Sequence, residues 1–220
     1  MLRNYIKYVA YLFVLIQFSF AYAGSYEDFF KAIQQNDART VQNLLERGFD
    51  ANVRDPNQQH GLYLALREPS LKVAKILIDW PKTDLNASNE AGETPLMMAV
   101  LKGQVEMVSA MLAKDADVNK TGWTPLHYAA TSGHIALIHL LLEKHAYIDA
   151  ESPNGSTPLM MAAMYGTPSA VKLLLEEGAD PLLKNQIGLS AIDFAQKALR
   201  QEIADIISVF VRAKQPKGTW

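Results

Sequence analysis

Cysteine is absent from this chain, so no disulfide, no thiol nucleophile and no cysteine-ligated zinc can be built from it. An excess of either charge is missing as well. The 21 Lys and Arg stand against 23 Asp and Glu, and a formal net charge of -2 leaves no basic face for nucleic acid. Catalytic signatures are lacking: there is no Gly-x-Ser-x-Gly, no phosphate-binding glycine loop and no His-Glu-x-x-His. The carboxylate clusters Asp149-Ala150-Glu151 and Glu176-Glu177 fall at turns and helix ends, where solvated charge is the ordinary state. His134 and His139 are five residues apart, about 140° round a helix, and cannot grip one metal ion from a shared face. These absences predict a protein that is not an enzyme and that uses no metal, no cofactor and no small-molecule substrate.

A membrane-spanning run of roughly 20 apolar residues is also missing. The longest candidate, from Tyr8 to Ala23, has 16 residues and includes Gln17 and Ser19. Arg3 and Lys7 precede it, and Ala21-Tyr22-Ala23 closes it. That is the plan of a secretory leader: a basic start, an apolar middle and a small-x-small cleavage site. Losing Arg3 and Lys7 with the leader takes the net charge from -2 to -4. An uncleaved anchor, with the rest of the chain as a structural spacer, is the alternative. A cysteine-free chain suits an oxidising compartment such as the bacterial periplasm, with the membrane met only in transit.

What the chain does have is a beat. Hydrophobic residues make up 49% of it, enough for a packed core. Gly92, Gly122, Gly155 and Gly188 recur at intervals of 30, 33 and 33 residues. Three of them open one phrase: Gly-Glu-Thr-Pro-Leu, Gly-Trp-Thr-Pro-Leu and Gly-Ser-Thr-Pro-Leu; Gly188-Leu189-Ser190-Ala191-Ile192 is a worn copy. A period near 33 describes stacked small units, not one globular core. In the unit from 122 to 154, Thr124 can cap a helix that Pro125 begins. Leu126, Ala129 and Ala130 give it a narrow inner face, and Gly133 ends it. A second helix is expected to carry Ile135, Leu137, Ile138, Leu140, Leu141 and Leu142 on its buried stripe.

The pattern Gly-x-Thr-Pro-Leu-His-x-Ala-Ala-x-x-Gly-His over 122–134 resembles the ankyrin repeat. Residues 155–180 match again, and 92–119 match with Met97 in place of His. The frame extends upstream, where His60-Gly61-Leu62-Tyr63 replaces Thr-Pro-Leu-His and Phe29 to Leu45 supplies another helix pair. The resemblance implies an all-α solenoid of about six helix–turn–helix units over residues 24–213, after a leader over 1–23 and before a tail over 214–220. It also implies that His127 and His134 are structural. Asp115 and His145 stand where other units carry Gly48 and Gly178, a place that wants positive φ.

One interval is short. Only Lys120-Thr121 separates Asn119 from Gly122, against five residues between Asn86 and Gly92. The finger-like hairpin expected there is therefore clipped, as surface drift or as room for a partner. By the resemblance, Trp123 and the residues before each helix-ending glycine (Leu101, Lys102, Thr131, Ser132, Met164 and Tyr165) share the concave face. Trp123, Met164 and Tyr165 are expected as apolar anchors, rimmed by Glu90, Glu93 and Lys120. The function this implies is the binding of a protein partner by a monomer. An immunity protein against an envelope-directed toxin is an alternative within that class. N-terminal sequencing of the mature protein tests the leader: the first residue read should be Gly24 or Ser25, whereas a start at Met1 means an anchor.

Overall fold

The computed structural model describes residues 24–214; the leader expected over 1–23 and all but the first residue of the tail expected over 214–220 lie outside the described residues. Among the described residues there are twelve helices and no strand, only an isolated bridge between Arg54 and His60. They fall into two compact units, divided between Asp84 and Leu85. The first holds α1 (24–34), α2 (Ala38–Glu46), α3 (Gly61–Arg67) and α4 (Leu71–Asp79). The second holds α5 (Pro95–Leu101), α6 (Val105–Leu112), α7 (Pro125–Ser132), α8 (Ile135–Glu143), α9 (Pro158–Tyr165), α10 (Pro168–Glu176), α11 (Ala191–Lys197) and α12 (Gln201–Lys214). Odd-numbered helices are the inner members of the pairs, even-numbered ones the outer.

Helices α2 to α11 are 7 to 9 residues long. That is below the length at which isolated helices hold in water, so packing must stabilise them. Pro95, Pro125 and Pro158 begin inner helices where a missing N–H costs nothing. The residue before each proline is capped from three places along. Sδ of Met97 and of Met160 takes the N–H of Thr94 and of Thr157 at 3.4 Å. Nδ1 of His127 takes that of Thr124 at 3.1 Å, and Asp193 takes that of Ser190 at 2.7 Å. Three different side chains thus close the same box.

In the second unit, α5, α7, α9 and α11 pack in sequence on one side, and α6, α8, α10 and α12 on the other. Small residues permit the close inner approach: Ala129, Ala130, Ala162 and Ala163 are fully buried. A Cβ on Gly166 would collide with the carbonyl of Ala130. Leu137, Ile138 and Leu141 of α8 and Val171 and Leu174 of α10 fill the seam behind.

Between pairs, the turns are tied by side chains. Asn86 Oδ1 accepts the N–H of Asp117 at 2.8 Å, Asn119 Oδ1 that of Tyr147 at 2.8 Å, and Asp149 that of Asp180 at 3.0 Å. Asn119 also donates to the carbonyl of His145 at 2.8 Å. Asp115 and His145 adopt φ of 59° and 63°, matching Gly48 and Gly178 at 90° and 103°.

The first unit uses substitutes. His60 caps α3: its Nδ1 accepts from Leu62 at 3.2 Å and its Nε2 faces Asn52 Oδ1 at 3.2 Å. Asn52 Oδ1 takes the N–H of Asp84 at 2.7 Å. Phe29 of α1 lies so close to Gly61 that a Cβ there would meet its ring at 2.7 Å. At the other end, α12 runs on to Lys214, whose Nζ bonds Asp180 Oδ1 at 3.1 Å, so Lys214 belongs to the helix and not to a tail.

Leu141 is fully buried in the middle of the second unit. Leu141→Ala should lower the free energy of unfolding by about 2–5 kcal/mol, read from urea melts.

Candidate functional site

Four hairpin tips close with the same pair of backbone bonds. The residue at the start accepts from the fourth and donates to the fifth: Asp55 with Gln58 and Gln59, Asn89 with Gly92 and Glu93, Ser152 with Gly155 and Ser156, Asn185 with Gly188 and Leu189. Among the described residues no such pair closes the segment 119–123. Deleting three residues removed the tip and left only its base.

Directly after that base, Trp123 opens an apolar groove of about 220 Å³ lined by Leu101, Trp123, His127, Tyr128, Thr131 and Met161. The Trp123 ring meets the His127 ring edge-on, with centroids 5.2 Å apart. The polar groups of His127, Tyr128 and Thr131 in the lining are already occupied. Thr131 Oγ1 donates to the His127 carbonyl at 2.7 Å, and the Tyr128 hydroxyl donates to Glu93 Oε1 at 3.1 Å. Burial, then the Glu93 charge, push the Tyr128 hydroxyl above its ordinary range, so it stays a donor. His127 Nε2 donates to the Ser156 carbonyl at 2.9 Å while Nδ1 accepts from Thr124, which fixes one neutral tautomer. The groove is therefore a receptacle for an apolar group and has no acid, base or nucleophile to spare.

Of the expected contacts, Leu101, Trp123 and Thr131 come together here, and Glu93 joins them through Tyr128. Glu90 is exposed on the neighbouring tip, and Lys120 reaches toward Gly92. Lys102 and Ser132 sit at the far ends of α5 and α7. Met164 and Tyr165 are not among the residues that line the groove with Trp123; Met161 is. Trp123 stands before the first turn of α7, whereas Tyr165 is the last residue of α9 and is 57% exposed. An eight-residue helix separates those levels by about 12 Å. Tyr128 and Met161 were missed, although both precede an expected contact by three residues, one turn along the same face.

A larger, open cleft of about 770 Å³ lies in the first unit, lined by Phe30, Lys31, Asp55, Leu64, Arg67 and Glu68 among others. Its rim mixes charges, and Arg67 is already engaged by Glu68 at 3.2 Å and Gln59 at 2.6 Å. The smaller groove is the better candidate because its lining is largely apolar. Among the described residues no cluster of His, Asp and Glu has the geometry of a metal site, and no helix is long and apolar enough to cross a membrane.

The capped inner helices, the tied turns and the hairpin tips recur as a unit, and the pattern described as Ankyrin repeats (3 copies) matches residues 29–121, 62–152, 114–185 and 144–209. The chain belongs to the ankyrin-repeat family. Ankyrin repeats mediate protein–protein binding, and the fold is typically a non-catalytic scaffold. The ankyrin repeat protein YahD of Escherichia coli (strain K12) is 27% identical over 189 residues, covering 82% of this chain and 94% of that protein. Ankyrin repeat and SAM domain-containing protein 6 of Rattus norvegicus is 29% identical over 132 residues, 60% of this chain and 12% of the relative. Across the first five curated relatives it matches, the chain spans between 5% and 23% of their length. Among solved structures, the human ASB11 ankyrin repeat domain superposes with a TM-score of 0.73 at 26% identity, covering 83% of this chain and 82% of that one. A chain from the complex of the Bd0816 predatory endopeptidase of Bdellovibrio bacteriovorus with immunity protein Bd3460 gives a TM-score of 0.71 at 28% identity, covering 83% of this chain and 97% of that one.

His127 also makes a prediction. Burial holds its pKa down at about 4, against 6.5 when unfolded. Its contribution to stability is complete above pH 6.5, falls as the unfolded imidazole gains a proton the folded one refuses, and levels off below pH 4. Met97 and Met160 show what the repeat accepts at that position. His127→Met should fold at pH 7.5, and between pH 7.5 and 4.5 it should lose roughly 2–3 kcal/mol less stability than the parent protein, measured by urea unfolding.

Proposed function

We propose that this is an exported, non-catalytic ankyrin-repeat protein that grips a partner protein along the inner-helix face of its second unit, centred on the Trp123 groove. The observation that carries this reading is the groove itself. It is a largely apolar recess in which His127, Tyr128 and Thr131 spend their polar groups on the protein itself, next in sequence to the segment that has no fingertip. Tryptophan and tyrosine in such a recess are the residue types that dominate binding energy at interfaces. Rigid helices on both sides hold the recess in shape, so little ordering is needed when a partner docks. The basic start, apolar middle and small-x-small end of residues 1–23 support export to the periplasm. The near-neutral surface supports a protein partner over nucleic acid.

A second reading names the partner class. The likeness to a chain from a complex between an endopeptidase and its immunity protein covers nearly all of that chain. It supports an immunity role, in which the partner is an envelope-directed enzyme held inactive.

Affinity capture from the native envelope, followed by mass spectrometry, identifies the partner. Trp123→Ala should weaken its binding about tenfold or more, measured by titration calorimetry, with the melting temperature little changed. Unchanged affinity in this variant places the interface elsewhere. A captured hydrolase that loses activity when the protein is added supports the immunity reading.

A further inference from the structure

The clipped finger defines a vacancy, and its two walls are not alike. The tips at 152–156 and 185–189 bond to each other sideways: Gln186 donates its backbone N–H to the Asn154 carbonyl at 3.1 Å and its side-chain amide to the Pro153 carbonyl at 2.9 Å. In the hairpin at 152–156, the place of Gln186 belongs to Pro153, which has no N–H to offer. A normal residue there would aim a donor at a tip that does not exist. The proline removes that demand and packs toward Gly122, where an added Cβ would lie 3.6 Å from its ring.

On the opposite side, the place of Asn154 is taken by Ala91, exposed, with no backbone donor on its carbonyl. The vacancy thus has a wall that can accept a hydrogen bond and a wall that needs none. The Trp123 groove begins one residue along the chain, because Trp123 follows Gly122 directly. Three charged residues belong to the segments on either side: Glu90 and Glu93 on the tip at 89–93, and Lys120, whose Nζ lies beside Gly92. The Glu93 carboxylate is held by Tyr128 and Asn89. Two carboxylates against one ammonium leave the lip negative.

We infer that the vacancy is the seat of an extended segment of the partner, which stands in for the missing fingertip. The segment donates a backbone N–H to the Ala91 carbonyl, seats an apolar side chain in the Trp123 groove and sets a lysine or arginine against Glu90. One extended strand fits where one three-residue tip is lost, and the apolar lining, with His127, Tyr128 and Thr131 already bonded, favours an apolar side chain. This rests on the partner-binding reading above and sharpens it to one segment chemistry.

The probe is a phage-displayed library of random 12-residue peptides, panned on the full chain. Three variants serve as counter-targets. One carries the tripeptide Asn-Glu-Ala, a copy of residues 89–91, inserted between Thr121 and Gly122, which restores the 33-residue spacing and fills the vacancy. The others are Trp123→Ala and Glu90→Lys. Enriched peptides should share an apolar residue near a lysine or arginine. Each variant should weaken them about tenfold or more, while the insertion leaves the melting temperature within a few degrees of the parent. Peptides that bind the insertion variant as well as the parent overturn the inference, and so does a library that yields no enrichment. If the insertion variant fails to fold, Glu90→Lys decides alone. A captured partner that is lost with Trp123→Ala but kept with the insertion leaves the partner-binding reading standing and removes this one.

Discussion

In four of the inter-repeat turns a side-chain oxygen takes the backbone N–H of a residue about 30 positions further on, and the packing of the repeats depends on it. Asn52 reaches Asp84, Asn86 reaches Asp117, Asn119 reaches Tyr147 and Asp149 reaches Asp180. These N–H groups lie in turns that have no strand or helix partner, so a side chain must answer them. Answering them with a short, stiff residue also sets the distance between successive turns. Once that spacing is fixed, the inner helices lie so close that alanine and glycine are required at Ala130, Ala162 and Gly166, and the larger aliphatic residues are sent to the outer seam.

The same economy governs the start of the inner helices. The box that closes over Thr94, Thr124, Thr157 and Ser190 tolerates methionine, histidine or aspartate because each offers one acceptor at one reach. The interchange has side effects. Histidine adds a bond to the Ser156 carbonyl and presents a flat ring on which Trp123 can stand edge-on. A flexible methionine offers no such platform. The structural choice at residue 127 and the shape of the groove are therefore one decision.

The architecture was legible because it is written several times: three copies of Thr-Pro-Leu, the Asp115 and His145 places and the short interval before Gly122 all appear where expected. His60 was found only by extending the frame, since it caps with a ring nitrogen where the phrase has threonine. The site was less legible. Counting back from helix-ending glycines gives residues that align in sequence, yet Met164 and Tyr165 lie a helix length from Trp123. Which residues meet depends on their level along parallel helices, and a list of repeats does not carry that. The cleft beside Phe30 and Arg67 was invisible for a related reason. It arises between α1, the first hairpin tip and α3, none of which repeats the signature phrase.

Leu182 occupies the place held by Asn86, Asn119 and Asp149, and a leucine has no oxygen to offer. In place of that tie, α12 lengthens to 14 residues and Lys214 reaches back to Asp180. Gene duplication therefore meets an asymmetric template. A copied middle repeat brings its own oxygen and can be spliced in between Asn86 and Asp149 with both neighbours served. A copy appended after the last helix pair finds nothing to receive it until Leu182 itself mutates. A repeat inserted in the interior would thus find both of its turns tied, whereas one added beyond α12 would meet a hydrocarbon side chain in place of an acceptor.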